Sequence, residues 1–358
     1  MKKPEYAIVG AGNGGQSMAA HLTLMGFKVS LYDVEPEKIS ALKERGSIKV
    51  SGEVTGEAVV DLVTGDIGEA IRGKDIIMVV LPTVYQGSIA RSMAPFLTDN
   101  QCIVLNPGGT GGALEVRNAI RESGQAKHVI VAETDTLIYA CRSPRAGEAV
   151  IAGIKGAVRV AALPASDTPK VLSLLNPAFP QYQAAPSVLH TSLGNVNAMM
   201  HPAPTILNAA RIESQTPFDY YTDGITARVT KIVEALDAER LAIAKAFGVE
   251  VMSTQECYMF FYGADGPTLY DKVRQVKAYE GMKGPTTLNT RYLFEDLPTG
   301  LVPLSCLGKA LGVPTPVMDS VVELGNILLG KNFWKEGRSL ERLGLAGKTP
   351  AEIAAMIA

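Results

Sequence analysis

The chain has few cysteines. Cys102, Cys141, Cys257 and Cys306 are the only four in 358 residues, and they are scattered without a CxxC pair or metal-ligand spacing. That excludes a disulfide framework and a cysteine-based metal site; no metal is expected, and a reducing cytosol with buried structural thiols is. Long apolar runs are also missing. None reaches the roughly 20 residues a bilayer crossing needs. The short run in "MKKPEYAIVGAGNGG" leads straight into glycines rather than a signal cleavage site. A soluble, cytoplasmic protein is therefore expected. Charge of one sign is absent too: the net charge is −2, so no long-range field invites nucleic acid or an anionic membrane. Histidine is scarce, with His21, His128, His190 and His201 making up the full set. No internal repeat, low-complexity tract or long linker interrupts the chain.

What is present describes a globular protein. Hydrophobic residues make up 47% and charged residues 20%, enough apolar material for a sizeable core. The length favours two or three domains.

Tyr6 to Val9 is a short apolar run that stops at Gly10, as a buried parallel strand does. The stretch "GAGNGG" follows, and Gly10, Gly12 and Gly15 satisfy G-x-G-x-x-G. Gln16 to Met25 reads as a helix stopped by Gly26. Lys28 to Tyr32 is a second strand with Asp33 at its carboxyl end. In such a turn Gly10 permits the tight bend, Gly12 lets the backbone approach a pyrophosphate, and Gly15 lets helix and strand pack closely. The helix N-terminus offers N–H groups and partial positive charge to phosphates. Gly10, Gly12, Asn13, Gly14 and Gly15 are thus the candidate phosphate cradle. Asp33 lies eighteen residues after Gly15, close to the spacing of about 20 for an acid that accepts from ribose. It would repel a 2′-phosphate, and no arginine follows it immediately. The expected cofactor is NAD(H), with NADP(H) second.

Strands recur at the rhythm of an α/β fold in "DIIMVVLPT" (75–83), "QCIVLNPGG" (101–109) and "HVIVAET" (128–134). The segment 149–163 reads as two strands around a turn, and 47–63 as a small polar hairpin insertion. "ALEVRNAIRESG" is a helical pattern after the glycines. Ligands sit outside the carboxyl ends of such strands. Leu81, Pro82 and Thr83, and Asn106 in the next loop, are therefore candidate cofactor contacts. For Asn106 a turn-stabilising role competes evenly.

From about residue 187 helical spacing takes over. Ile225, Val229, Ile232, Val233, Leu236, Ile243 and Phe247 share it, with Gly248 as the stop. "PTPVMDSVVELGNILLG" is a further helix begun after prolines. The expected fold is α/β: a Rossmann-type doubly wound sheet over 1–186, then an all-α domain over 187–358. In "NAMMHPAP", Asn197 and His201 are four apart and share a helix face. Pro202 and Pro204 cannot bond back to Ala198 and Met200, so the helix should break there. A histidine at a break can reach into a cleft and exchange protons near neutral pH. The simpler fate, burial against a local carbonyl, is assigned to the other three histidines. "LNTRYLFEDLPTG" (288–300) sets Arg291, Glu295 and Asp296 among aromatic residues. Arg291 could grip a substrate carboxylate and Asp296 could orient an imidazole; a surface ion pair on a helix is the plainer alternative. Arg142 is a further candidate substrate contact. "QECYMFFYG" (255–263) could wall an apolar pocket, with core packing the default.

These stretches, with "LNPGGTGGALE", "LHTSLGNVNAMMHPAPTILNAARIES" and "DAERLAIAKAFGV", resemble the opine dehydrogenase family over nearly the whole chain. The resemblance implies a dinucleotide domain followed by a helical substrate and dimerisation domain, an architecture similar to ketopantoate reductase and glycerol-3-phosphate dehydrogenase. It implies that His201 is the general acid/base, Asp296 its partner, and Arg291 the anchor of a keto-acid carboxylate. It also implies amino-acid and 2-keto-acid substrates and a homodimer. The leading reading is NAD-dependent reductive condensation of an amino acid with a pyruvate-like keto acid. A plain NAD(P)-dependent keto-acid or ketone reductase is the alternative. A catalytically idle NAD-sensing module is a third reading, for which an Arg, His and Asp set has no use.

Overall fold

In the computed structural model, which describes residues 3–124 and 128–357, the strands in chain order are β1 Tyr6–Val9, β2 Val29–Tyr32, β3 Ile48–Gly52, β4 Gly56–Ala58, β5 Leu62–Thr64, β6 Ile76–Val79, β7 Cys102–Leu105, β8 Ile130–Thr134, β9 Tyr139–Arg142, β10 Glu148–Ile154, β11 Val158–Leu163 and β12 Tyr182–Ala184. Every residue of β1, β2, β6, β7 and β8 is buried. Burial on both faces is why these strands read as continuous apolar runs rather than alternating ones. They belong to an eight-stranded sheet of order β12-β11-β8-β7-β6-β1-β2-β5. Its neighbours from β8 to β5 run parallel, while β11 is antiparallel to β8 and parallel to β12. The winding direction reverses at β1, with β2 on one side and β6 on the other. That reversal opens a crevice at the carboxyl ends of the strands.

A second sheet, of order β4-β3-β10-β9, is built on the expected hairpin insertion. The two strands expected around a turn in 149–163 are β10 and β11, and they join different sheets: β10 pairs with β3 and β9, and β11 with β8 and β12. Their burial explains the separation. β10 is largely half-exposed, whereas β11 is buried at all but one position. The chain crosses from sheet to sheet over residues 155–157, with the Lys155 N–H donating to the Ile138 carbonyl and that of Val158 to Gln181.

The chain forms two compact units. The first runs to Thr191 and takes back the chain from Ala355; the second spans Ser192–Ala354. The helix α1, Asn13–Leu24, packs on the first unit's sheets through Met18 and Leu22, both fully buried. A buried side chain of that size stabilises by roughly 1.5–3 kcal/mol. Glu133, fully buried at the end of β8, accepts hydrogen bonds from the Ala113 N–H (2.8 Å) and the Thr191 hydroxyl (2.6 Å).

The second unit is helical; among the described residues its only β pairing is the isolated bridge between Asp219 and Lys283. Its longest helix, Ala227–Ala246, starts where the Thr226 hydroxyl accepts from the Val229 N–H and ends before Gly248, whose φ is +68°. Val233, Leu236 and Ile243 form its fully buried stripe. Arg240 is fully buried as well. Its guanidinium donates to Asp237 Oδ1 at 2.6 and 2.9 Å and to the carbonyls of Leu193 (2.5 Å) and Met252 (2.8 Å). The second Asp237 oxygen accepts from the Thr254 N–H at 2.7 Å. One ion pair thereby ties three chain segments together. Glu239 reaches from the same helix to the N–H groups of Val317 and Met318 (2.8 and 2.9 Å), at the start of helix Pro316–Leu329. A carboxylate there satisfies N–H groups that a helix cannot satisfy itself.

Two expectations change. The helix Thr254–Tyr262 buries Cys257 and Tyr258 but leaves Met259, Phe260, Phe261 and Tyr262 exposed, so core packing accounts for only part of "QECYMFFYG". All four cysteines are free, and two of them, Cys141 and Cys306, are only half-buried. Among the described residues no helix is long and apolar enough to cross a membrane, and no cluster of His, Cys, Asp and Glu is arranged to hold a metal ion.

Candidate active site

The first unit carries the candidate nucleotide cradle at its topological reversal. A Cβ on Gly15 would stand 1.6 Å from the Gly10 carbonyl oxygen, so only glycine lets α1 start this close to β1. Gly10 itself has φ +110°, and a Cβ there would meet the Val80 oxygen at 2.6 Å and the Leu81 side chain at 2.7 Å. The loops after β1 and β6 are therefore in contact. In front of Gly12 the space is open, with nothing within 4 Å of an added Cβ, and no side chain caps the N-terminus of α1. An open face and uncapped N–H groups fit a phosphate. Leu81 and Pro82 are half-buried and Thr83 is buried.

Asp33 is buried at the end of β2 and already has local partners. Its Oδ2 accepts from the Ala11 N–H (2.7 Å) and from Lys38 Nζ (3.2 Å), and its Oδ1 from the Glu35 N–H (3.0 Å). The acid thus holds the glycine turn in shape. A carboxylate offers about four acceptor positions, so capacity for one ribose hydroxyl remains. Asn13 accepts from the Ser143 N–H through its side-chain oxygen (2.9 Å). Gly14 packs on Val80 and Leu137. Asn106 makes structural bonds: its amide donates to the Val104 carbonyl (2.9 Å), and its side-chain oxygen lies 3.3 Å from the Tyr182 hydroxyl. Arg142 is exposed at the end of β9, in the smaller sheet.

The second unit carries the candidate acid–base residues. The helix breaks at His201 as its sequence predicts. Asn197–Met200 ends there, Pro202–Leu207 begins, and His201 sits at φ −105°, ψ −56°. The prolines leave the Ala198 and Met200 carbonyls without a helical N–H donor, and the Tyr220 hydroxyl lies 3.4 Å from the Met200 carbonyl. The His201 carbonyl keeps its helical donor, the Thr205 N–H (3.1 Å), and also accepts from the Thr205 hydroxyl (2.7 Å) and the Tyr220 hydroxyl (2.8 Å). With its backbone fixed, the imidazole has a defined bearing. Nδ1 lies 2.8 Å from Asp296 Oδ2. Burial raises the Asp296 carboxyl above its ordinary 3.8, and the neighbouring His201 works against that rise. Asp296 stands next to the π-helical turn Leu297–Leu301, which Gly300 brings against the Asn197–Met200 helix: a Cβ on Gly300 would meet that of Ala198 at 2.7 Å.

Arg291 opens the short helix Arg291–Phe294 and projects an exposed guanidinium. Nε and Nη2 both donate to Oε2 of the buried Glu295, at 2.6 Å. That is the ion pair the spacing also allowed, and it leaves Nη1 for a further carboxylate. Asn197 is exposed, and its carbonyl accepts from the His201 N–H (3.0 Å). The remaining histidines lie in the first unit. His21 meets the Tyr139 hydroxyl (2.9 Å) and His190 that of Ser187 (3.1 Å), while the His128 backbone N–H donates to Asp99 (2.7 Å).

Sequence reasoning missed the tyrosines around the imidazole. Tyr292 stacks on it with ring centroids 4.2 Å apart and planes at 20°. The Tyr221 hydroxyl lies 3.4 Å from Nε2. Tyr292 directly follows Arg291 and could have been noticed; for Tyr221 the sequence offers no signal.

Such a set can hold a carboxylate and pass a proton, which is what carbonyl–amine chemistry requires. Residues 184–329 match the family model for the NAD/NADP octopine/nopaline dehydrogenase alpha-helical domain, and residues 5–131 the NAD-dependent glycerol-3-phosphate dehydrogenase N-terminus. The chain is 49% identical over 349 residues to an opine dehydrogenase of Arthrobacter sp. (strain 1C), covering 97% of each. It is 30% identical over 351 residues to Protein ocs of Agrobacterium vitis, covering 96% of each. In fold it is similar to an octopine dehydrogenase solved in complex with NADH and agmatine, with a TM-score of 0.83, 19% identity and 98% of each chain covered. A ketopantoate reductase from Ralstonia eutropha shares the fold at a TM-score of 0.64 and 18% identity, over 93% of this chain and 99% of that one. Identity of this level to the Arthrobacter enzyme along nearly the full length of both, joined to the helical-domain match, means that the chain belongs to the opine dehydrogenase family, NAD(P)-dependent oxidoreductases acting on CH–NH bonds.

Proposed function

We propose that His201, Asp296 and Arg291 do the proton and substrate handling when this opine dehydrogenase reductively condenses an amino acid with a 2-keto acid such as pyruvate. The observation that carries the assignment is the 2.8 Å contact between His201 Nδ1 and Asp296 at a proline-broken helix. An amino acid arrives as an ammonium ion and must lose a proton before its nitrogen can attack the keto carbon. His201 Nε2 takes that proton. The carbinolamine then loses its hydroxyl as water, and the same nitrogen returns a proton to it. Asp296 accepts the Nδ1–H, fixes the tautomer and stabilises the imidazolium between the two transfers. Arg291, steadied by Glu295, grips the keto-acid carboxylate. Bound nicotinamide supplies the hydride that reduces the imine to a secondary-amine dicarboxylate.

Gly10, Gly12, Asn13, Gly14, Gly15, Asp33, Leu81, Pro82, Thr83 and Asn106 are assigned to the cofactor, and Asn197 and Arg142 to further substrate contact. NAD(H) is the preferred cofactor in this reading, because the Asp33 carboxylate disfavours a 2′-phosphate; Lys38, 3.2 Å from it, tempers the discrimination. Within the family we favour the bacterial N-[1-D-carboxylethyl]-L-norvaline dehydrogenase type, supported by the identity to the Arthrobacter enzyme.

The test is a panel of amino acids with pyruvate and NADH or NADPH, with the product identified by mass. NADH oxidation should require both organic substrates. His201→Ala should lower kcat by about 10²–10⁴, the usual contribution of general acid–base catalysis. Near-normal turnover by the folded variant would overturn the assignment.

A further inference from the structure

Described residues enclose the His201 imidazole on three sides. Asp296 takes Nδ1 at 2.8 Å, Tyr292 covers a face at 4.2 Å, and the Tyr221 hydroxyl stands 3.4 Å from Nε2. Only 12% of the side chain is exposed. With Nδ1–H held by the carboxylate, Nε2 is the nitrogen that exchanges protons, and Tyr221 sits at it.

Tyr221 has a fixed bearing. It is buried, its ring stacks on Tyr279 at 3.7 Å with planes 9° apart, and Tyr220 meets it edge-on at 5.1 Å. It belongs to a single π-helical turn, Tyr220–Gly224, a form that concentrates at functional sites. The Tyr220 N–H donates to the Met282 carbonyl (2.8 Å) and that of Gly224 to Asp219 (3.0 Å), and Arg274 donates to the Thr222 carbonyl. Burial raises the phenol far above its ordinary value, so it stays neutral. A neutral phenol cannot store a proton deficit, but it can accept one proton while giving up another.

We propose that Tyr221 relays the proton between substrate and His201. The inference rests on the acid–base role given to His201 above. In the first step the ammonium N–H bond breaks and its proton joins the Tyr221 oxygen, while the phenol's own proton passes to Nε2. The amine keeps its electron pair, and the imidazolium forms. In the second step a proton leaves Nε2 for the phenol oxygen as the phenol proton joins the carbinolamine hydroxyl, which departs as water. The phenol is neutral before and after each transfer, and no further reactant is needed.

Tyr221→Phe keeps the ring and its stacking and removes only the hydroxyl. In the full-length enzyme, NADH affinity measured by fluorescence should stay within twofold. The kcat should fall tenfold or more, with KM for both substrates within threefold. The wild-type kcat should depend on deuterium fraction with the curvature of two protons in flight, and the variant's dependence should be linear. A kcat within twofold of wild type, or the same dependence in both proteins, overturns the relay. The wild-type measurement also stands alone: a strictly linear dependence refutes the two-proton transfer even if the variant misfolds. His201→Ala, run in parallel, separates the two ideas. If it is inactive while Tyr221→Phe is near-normal, only the relay fails; if it too is near-normal, the role of His201 fails with it.

Discussion

Gly300 sets the spacing of His201 and Asp296, the pair proposed to do the acid–base work, and adding one methyl group there should uncouple it. Gly300 lies in the turn beside Asp296, and an added Cβ would stand 2.7 Å from the Cβ of Ala198. Ala198 belongs to the four-residue helix that ends at His201. Carbon atoms pack at about 3.5–4.0 Å, so Gly300→Ala asks the two segments to part by about 1 Å. The obstructing atom is the stub of a buried alanine and cannot swing aside. Carried into the pair, that shift takes the 2.8 Å contact beyond hydrogen-bond range. Overpacking should cost about 1–3 kcal/mol of stability. A catalytic group misplaced by this much loses on the order of 100-fold in rate. The expected result is a kcat lowered about 10- to 100-fold, with NADH affinity unchanged because the glycine cradle belongs to the other unit. The decisive assay adds Ala198→Gly, which deletes the obstructing atom. The double variant should recover most of the lost kcat, although a glycine in the helix costs about 1 kcal/mol by itself. Full activity in Gly300→Ala, or no recovery in the double variant, would refute the spacing argument.

Other outcomes can be read from the same geometry. In His201→Ala the carboxyl of Asp296 loses the imidazole that opposes its upward shift, so it should titrate higher still. A carboxyl raised in the folded state binds its proton more tightly there than in the unfolded chain. Its stability deficit is therefore full above the folded pKa, shrinks as pH falls through that value, and is gone below about 3.8. The melting-temperature gap between variant and wild type should narrow on acidification; a gap constant from neutrality to pH 4 contradicts it. Arg240→Ala strands a buried Asp237 and the carbonyls of Leu193 and Met252, and should cost about 3–5 kcal/mol in urea denaturation. A loss below about 1 kcal/mol would instead match an exposed ion pair.

How far the sequence discloses this enzyme follows from the range of the forces involved. The glycine turn, α1 and β2 are settled within thirty residues by backbone sterics, helix polarity and continuous apolar strands, and all are legible. The break at His201 is legible for the same reason, since two prolines remove two N–H donors wherever they stand. From residue chemistry alone Asp296 could be nominated but not connected, because 95 residues separate it from His201; only the family resemblance pairs them. What joins them is Gly300 against Ala198, a contact that has no signature until both helices are in place. Tyr221 is hidden more deeply, since its hydroxyl reaches Nε2 only through the turn that Met282 and Arg274 hold. β10 and β11 are legible as strands but not as members of different sheets, because two short apolar strands look alike whether they share a sheet or leave one for another. Asp33 shows the same limit from the other side. Its position at the strand end is legible, yet the ribose role proposed for it leaves out its structural bonds. With Ala11 and Glu35 N–H groups on its oxygens, the acid holds the glycine turn proposed to cradle the phosphates. Replacing it should loosen the binding of NADH and NADPH alike, a loss that an acid acting only by repelling a 2′-phosphate would not produce.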